Sequence, residues 1–168
     1  MDFYEVIKTR HSVRGFKPDA VETAKLDRVL EAARIAPSAA NRQPWQFIVV
    51  KSKQVREQLK EAYPQQWFYT APLIICACAK PDEAWKRGDG KNYVDVDVTI
   101  AMDHLILAAT AEGLGTCWIG AFKTEAVKRV LNLPAGVEPL AMTPLGYPAA
   151  GPRQTSRKEL SAILRVIE

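Results

Sequence analysis

The feature that most constrains the fold is an apolar run between Asp95 and Glu112 with the spacing of an α-helix. Alanine, leucine, isoleucine and methionine fill most positions of its second half, so the predicted helix has little polar surface there. A helix that is apolar on nearly every side has to be buried. It therefore lies either in the core of the chain or against another subunit. Asp95 and Asp97 at its start favour the helix dipole.

Two shorter helices are predicted before it. Asp2 can cap a first helix that runs to about Arg10, because its carboxylate accepts hydrogen bonds from the first free amides. Apolar residues recur at helical spacing over Leu26–Ala33, which predicts a second helix at about 21–35. Pro37 prevents its continuation, since the residue before a proline is pushed out of the helical region.

Four further runs are predicted to be strands: Gln46–Lys51, Leu73–Ala79, Thr116–Ile119 and Leu140–Tyr147. The first two are apolar at successive positions, which indicates burial on both faces. Pro144 interrupts the fourth run, and a proline cannot donate to a neighbouring strand. We therefore expect a bulge or an edge position there.

Additional helices are predicted at about 53–63 and from a capping Thr124 to about Asn132. The succession of helices and strands indicates an α+β fold with a sheet flanked by helices, without fixing parallel or antiparallel order. A chain of 168 residues can bury roughly 70% of its unfolded surface, so we expect one domain, residues 1–168. Residues from about 149 to 168 are polar at first and form either a short helix or an arm.

Composition restricts the function more than it defines it. The net charge is +4 and the basic residues are scattered, which gives little support for nucleic-acid binding. Cys76 and Cys78 alternate within one predicted strand and so share a face, which is typical of core packing. An odd cysteine count without paired spacing favours a reducing compartment. The sequence shows no signal peptide pattern and no apolar run of about 18 residues, so we expect a cytoplasmic protein that does not bind membranes.

Arg10, Ser12 and Arg14 follow the first helix and fall on one side of an extended segment, because side chains alternate along extended backbone. Two guanidinium groups beside a hydroxyl suit a phosphate, which arginine binds through charge-assisted hydrogen bonds. Taken alone, the same pair fits a solvated surface equally well. Arg157 and Lys158 form a second basic pair with the same two interpretations.

The segment Ala36–Trp45 contains a hydroxyl, two carboxamides and an indole directly after Pro37. Asn41 and Gln43 can each donate and accept hydrogen bonds, so they match the alternating donors and acceptors on the edge of a flat ring such as a flavin. The alternative is that Asn41 only turns the chain.

Three glycines surround a short predicted strand in Gly113–Gly120. They permit either close approach of the backbone to a ligand or a helix end followed by a tight turn. The sequence contains no metal-ligand spacing, no nucleophile motif and no phosphate-binding loop. Cys117 has no obvious base partner. The chain therefore offers a set of donors and no acid/base machinery of its own.

Together, four blocks of the chain resemble the FMN-dependent nitroreductase family. They extend in order over nearly the whole chain, from residue 3 to about 160, and they are Arg10-x-Ser12-x-Arg14-x-Phe16, Ala36-Pro37-Ser38-x-x-Asn41-x-Gln43-Pro44-Trp45-x-Phe47, Gly113-Leu114-Gly115-Thr116-x-Trp118-Ile119-Gly120, and Leu145-Gly146-Tyr147-Pro148 with Arg157-Lys158.

The resemblance implies a mainly antiparallel central sheet flanked by helices, in a homodimer that shares two FMN sites across its interface. The long apolar helix is then the dimer core. Arg10, His11, Ser12 and Arg14 are expected to bind the phosphate, ribityl chain and pyrimidine edge. Arg157, with Lys158, closes on the phosphate.

Across the interface the resemblance brings Pro37, Ser38, Asn41 and Gln43 to the flavin, and it brings the backbone of Ile119 and Gly120 near flavin N5 and O4. It implies NADH or NADPH as reductant and ping-pong hydride transfer to nitroaromatics, quinones or similar electron-poor molecules. A halogenated phenol as substrate and a flavin-binding module without efficient turnover are the alternatives. The chain is short for the family, so the active-site lid would come from residues 67–92, with Trp67, Phe68, Trp85 and Tyr93 either in it or in the core.

Overall fold

A computed structural model describes residues 1–152 and 155–168 of the chain. Its helices are α1 (Phe3–Thr9), α2 (Thr23–Arg34), α3 (Lys53–Gln58), α4 (Gln66–Tyr69), α5 (Val94–Ala111) and α6 (Thr124–Leu131). Its strands are β1 (Trp45–Val50), β2 (Leu73–Ala79), β3 (Gly115–Thr116) and β4 (Glu138–Gly146). Short 3₁₀ turns lie at Ala39–Asn41, Leu59–Glu61 and Leu160–Ala162.

The four strands form one sheet in the order β1-β2-β4-β3, and every neighbouring pair is antiparallel. The α+β class predicted from the sequence is confirmed, and so is the antiparallel sheet that the family resemblance implies. Strand β2 is buried along its whole length, as its continuous apolar run predicts. The sheet therefore has helices on both faces.

Strand β4 lies inside the sheet, so the predicted edge position is wrong. The register irregularity lies opposite Ala77 and Cys78, away from Pro144. Met142 exchanges both backbone hydrogen bonds with Ile119. The backbone nitrogen of Pro144, two residues further on, therefore faces the same neighbouring segment as the Met142 amide. Strand β3 ends after Thr116, so among the described residues no strand lies opposite Pro144 on that side. The lack of an N–H at Pro144 therefore costs the sheet no hydrogen bond. Because regular pairing with β4 stops after Thr116, the third strand is shorter than the predicted 116–119.

Two apolar clusters cover the two faces of the sheet. One packs α2 and α5 against alternate residues of β2, including Ile75 and Ala77. The other packs α6 and the segment around Phe68 against Ile74 and the two strand cysteines. All three cysteines are buried and free, so the packing role predicted for Cys76 and Cys78 is confirmed.

Local signals in the sequence identify α1, α2 and α5 well. Asp2 and Glu5 form a reciprocal capping box at the start of α1, as an N-terminal aspartate favours. The predicted capping role of Thr124 at α6 is wrong. Lys123 is the capping residue, Thr124 is the first helical residue, and no side chain caps the helix. The backbone is extended at Lys123, and the Lys123 carbonyl accepts the amides of Ala126 and Val127.

The region 67–92 is partly core and partly a compact hairpin. Phe68 is fully buried and Trp67 packs against the same cluster, so two of the four aromatic side chains considered for the lid belong to the core. Trp85 and Tyr93 form an edge-to-face pair with ring centroids 5.0 Å apart. Asn92 ties the hairpin to α5 by accepting from the Val94 amide.

The C-terminal segment 155–168 contains one 3₁₀ turn, Leu160–Ala162, and no α-helix or strand. Its large apolar side chains are exposed, and they are Leu160, Ile163, Leu164, Val166 and Ile167. Among the described residues, no helix is both long enough and apolar enough to cross a membrane.

Candidate functional site

The segment 11–16 runs alongside β3 and fixes the alternation of its side chains. Ser12 bridges Thr116, and the Val13 amide donates to the Thr116 carbonyl at 2.8 Å. Val13 is buried while Ser12 and Arg14 are exposed on the opposite side. The alternation predicted from the sequence is therefore present, and it follows from the burial of Val13.

Two adjoining cavities open beside this segment. One, of about 290 Å³, is lined by His11, Ser12 and Arg14 together with the backbone at Gly151. The other, of about 650 Å³, is lined by Arg10, His11 and Arg157. The structure thus brings together five of the residues singled out in the sequence, and His11 is common to both cavities.

The charge of these cavities is one-sided. Of the described residues, neither Asp nor Glu lines either cavity. Among the described residues, the guanidinium groups of Arg10 and Arg14 have no ion-pair or hydrogen-bond partner, and the Arg157 guanidinium reaches only Thr155 Oγ1 and the Ser156 carbonyl. Unneutralised guanidinium groups around a cavity make an anion site. We call Arg10, His11, Ser12, Arg14 and Arg157 the cationic cradle. Lys158 is exposed and lines neither cavity.

Cys117 lies near the cationic cradle, because Arg14, Ser12 and Arg10 each act to lower the pKa of its thiol. Burial raises the pKa of the Cys117 thiol, and the arginines offset this only in part. A thiol held in its protonated form is a poor nucleophile. The geometry therefore agrees with a packing role for Cys117.

The three glycines of the segment Gly113–Gly120 serve different purposes. Gly113 has φ +75° and ends α5, while a Cβ at Gly115 would lie 2.7 Å from Val13 Cγ2. At Gly120 the nearest atom to such a Cβ is 4.0 Å away, so the fold leaves this position open. Gly120 is exposed, and the neighbouring Ile119 is buried with its backbone paired to Met142.

The loop 38–43 forms a separate group. Ser38 Oγ accepts from the Gln43 amide at 2.9 Å, and Gln43 Nε2 donates to the Asn41 carbonyl at 3.1 Å. Asn41 and Gln43 are exposed and Ser38 is half-buried, and the loop lines neither cavity of the cationic cradle. Within one chain, the two halves of the site predicted from the sequence are therefore not brought together.

One buried residue near this loop was given a different role in the sequence analysis. Asp97 is 1% exposed, and its Oδ1 accepts from the Ala39 amide at 2.9 Å. An aspartate at a helix start is typically solvated near the dipole, whereas Asp97 faces inward. A signal was present in the sequence, because Asp97 lies at helical spacing with apolar residues such as Ala101 on the buried side of α5.

The donor set fits a phosphorylated ligand with a flat polar ring. The cationic cradle supplies guanidinium and hydroxyl donors for a phosphate. Exposed carboxamides in the loop 38–43 supply the mixed donors and acceptors that a heterocyclic edge requires. No acid/base pair has to be assumed for binding.

Comparison with known proteins gives a consistent result. The Nitroreductase family model matches residues 7–66 and 60–147. A Methanothermobacter thermautotrophicus protein, whose name assigns it to the NADH dehydrogenase/NAD(P)H nitroreductases, is 35% identical over 90% of this chain and 80% of its own length. The crystal structure of a nitroreductase family protein from Clostridium difficile 630 has a TM-score of 0.90 and 36% identity, and covers 98% of both chains.

A more distant relative belongs to a different branch. Iodotyrosine deiodinase of Haliscomenobacter hydrossis is 24% identical over 98% of this chain and 88% of its own length. On the strength of the family model and the 35% identical relative, the chain belongs to the nitroreductase family of oxidoreductases.

Proposed function

We propose that this chain is an NAD(P)H-dependent FMN oxidoreductase that reduces nitroaromatics, quinones or similar electron-poor small molecules. It acts as a homodimer, each chain being a single FMN-binding domain, 1–168, with residues from about 149 as a C-terminal arm. The observation that carries the proposal is the cationic cradle: among the described residues, arginines and no carboxylate line its two cavities.

The cationic cradle binds the phosphate of FMN. Arg10 and Arg157 line one cavity and provide charge-assisted hydrogen bonds, and Ser12 between the arginines adds a hydroxyl donor. His11, which lines both cavities, contacts the ligand where they join. Lys158, next in the chain to Arg157, contributes positive charge to the same phosphate.

When bound, FMN supplies the hydride-accepting and hydride-donating chemistry of a ping-pong cycle. The chain's residues bind and orient the ring and stabilise negative charge on it. Arg14 lines the cavity next to Ser12 and is our candidate for the cation at the pyrimidine edge. The exposed Gly120 lets backbone approach the ring face without a Cβ between them, and Ile119 is held rigid beside it by its bridge to Met142.

The second wall of each site comes from the partner copy, through Pro37, Ser38, Asn41 and Gln43. This arrangement is supported by the separation of the loop 38–43 from the cationic cradle within one chain. Exposed apolar side chains also favour a second copy, because large apolar patches on a lone chain are usually covered by a partner. They lie on α1, at Phe3, Tyr4 and Ile7, and along the C-terminal arm.

A halogenated phenol is the second candidate substrate, and the similarity to iodotyrosine deiodinase favours it. Reduction of a carbon–halogen bond needs the same flavin site with a different acceptor above it. A flavin-binding module without efficient turnover is the remaining alternative, since the hairpin 80–93 is short and compact.

Flavin uptake and turnover with a panel of acceptors test the proposal. The purified protein should retain FMN through gel filtration, and its thermal stability should rise as the FMN concentration rises. NADH or NADPH oxidation should accelerate with a nitroaromatic or a quinone. Faster turnover with a halogenated phenol than with either would select the second candidate. Protein that takes up no FMN and gains no stability from it contradicts the proposal.

A further inference from the structure

The loop 38–43 holds three residues other than glycine in the left-handed backbone region. Ala40, Asn41 and Gln43 have φ of 51°, 53° and 50°. Asparagine tolerates this region, but a residue with an ordinary Cβ such as Ala40 is disfavoured there by its contact with the following carbonyl. Strained residues persist only where surrounding structure fixes them, and they cluster at ligand sites.

The contact that fixes this loop from outside comes from α5. Asp97 Oδ1 accepts from the Ala39 amide at 2.9 Å, across a sequence separation of 58 residues. Other bonds of the loop are local, such as Asn41 N–H to the Ser38 carbonyl and Arg42 N–H to the Ala39 carbonyl. Local bonds close the turn, and the Asp97 bond joins it to the helix behind.

The surroundings of Asp97 argue against a merely packing role. Its side chain is almost fully buried, and its second oxygen, Oδ2, has no hydrogen-bond partner within the described residues. A buried carboxylate with a free oxygen carries a desolvation cost that an apolar residue would avoid. Among the described residues, the hydrogen bond that offsets this cost is the charge-assisted bond from the Ala39 amide of the strained loop.

We propose that Asp97 is a positioning residue for the flavin: its carboxylate holds the loop 38–43 in the left-handed conformation that presents Ser38 and Asn41 to the ligand. The inference rests on the proposed function for its flavin role. Apparent affinity falls in proportion to the fraction of chains whose loop is in the binding conformation. Loss of the Asp97 bond should therefore weaken flavin binding even though Asp97 itself touches no ligand.

Glycine substitutions separate this role from general stability. Asp97→Ala should weaken FMN affinity about tenfold or more, since it removes a charge-assisted bond. Adding Ala40→Gly should regain about fivefold, because glycine adopts φ near +50° without the Cβ penalty. The control is Asn132→Gly, a glycine substitution at another left-handed position, φ 50° at the end of α6, outside the loop. Added to Asp97→Ala, Asn132→Gly should restore no FMN affinity. Asp97→Asn keeps an acceptor oxygen and should stay closer to the wild type than Asp97→Ala.

Hydrogen exchange of the flavin-free protein tests the loop without relying on the flavin. The amides of residues 41–43 do not bond to Asp97, so they respond only if the loop conformation depends on it. Asp97→Ala should accelerate their exchange, and Ala40→Gly should slow it again. If Asp97→Ala does not fold, Asp97→Asn takes its place. Exchange at residues 41–43 should then accelerate less, and Ala40→Gly should again slow it.

The outcomes distinguish the inference from the function on which it rests. Unchanged exchange at 41–43 in the Asp97 variants, with normal FMN uptake by the wild type, overturns the inference and leaves the proposed function standing. Equal rescue by Asn132→Gly and Ala40→Gly also overturns it, because the effect would then be global stability. Faster exchange in the variants without FMN uptake by the wild type contradicts the proposed function, and the flavin role of Asp97 with it.

Discussion

Gly115→Ala tests how the sheet holds the cationic cradle. A Cβ at position 115 would lie 2.7 Å from Val13 Cγ2, 2.9 Å from Val13 Cβ and 3.0 Å from Val13 Cγ1. Valine is stiff about χ1, so the side chain cannot rotate away easily. Val13 is flanked by Ser12 and Arg14, and therefore the clash should move the segment that carries both donors.

The expected cost is that of overpacking a buried site, about 1–3 kcal/mol. For a chain of this size each kcal/mol lowers Tm by about 2–4 °C. Differential scanning calorimetry of the flavin-free protein measures this term, and FMN titration measures the accompanying loss of affinity.

Gly88→Ala is the matched control, since a Cβ there meets no atom within 4 Å. Val13→Ala removes two of the three clashing atoms, so the double variant Gly115→Ala/Val13→Ala should lose less stability than the two single losses added together. Gly115→Ala protein as stable as the Gly88→Ala control, or strict additivity in the double variant, would refute the close approach of the two segments.

Two further predictions concern charge. Arg10→Ala should weaken FMN affinity by about 1.5–3 kcal/mol, the usual contribution of a charge-assisted hydrogen bond. The control Lys60→Ala, at an exposed lysine of the Leu59–Glu61 turn, should leave the affinity unchanged. Equal FMN affinities of the two variants in a fluorescence titration would exclude the phosphate role of Arg10. Tyr147 donates to Glu22 Oε2 at 2.5 Å, and this bond lowers the pKa of Glu22 below its ordinary 4.5. A lowered carboxyl pKa contributes stability above the unfolded value and loses it as pH falls through the folded value. Tyr147→Phe should therefore flatten the decline of Tm between about pH 6 and about pH 3, and identical pH profiles for the two proteins would contradict the linkage.

Sequence patterns predicted most of the fold because local physics determines them. The capping box of α1, the apolar stripe of α2 and the apolar run of α5 each specify a helix without reference to the rest of the chain. Continuous apolar strands specify burial on both faces. The same reasoning located Ser12 and Arg14 on one side, because alternation depends only on extended backbone and a buried Val13.

The errors arise where a distant element decides. Pro144 argues for an edge strand unless its missing N–H faces a gap, and that gap exists only because β3 ends after Thr116. Thr124 is a good capping residue by type, yet the backbone enters the helix one residue earlier. Asp97 was assigned to the helix dipole because its partner, the Ala39 amide, lies 58 residues away and no local pattern connects them.

An anaerobic titration of the FMN-loaded protein with NADPH and with NADH tests the central claim most directly. The proposed function predicts that at least one of the two bleaches the visible flavin absorbance in stoichiometric amount, and that a nitroaromatic or quinone then restores it. Bound flavin that neither nucleotide bleaches would contradict an oxidoreductase role for this chain and leave only a flavin-binding module.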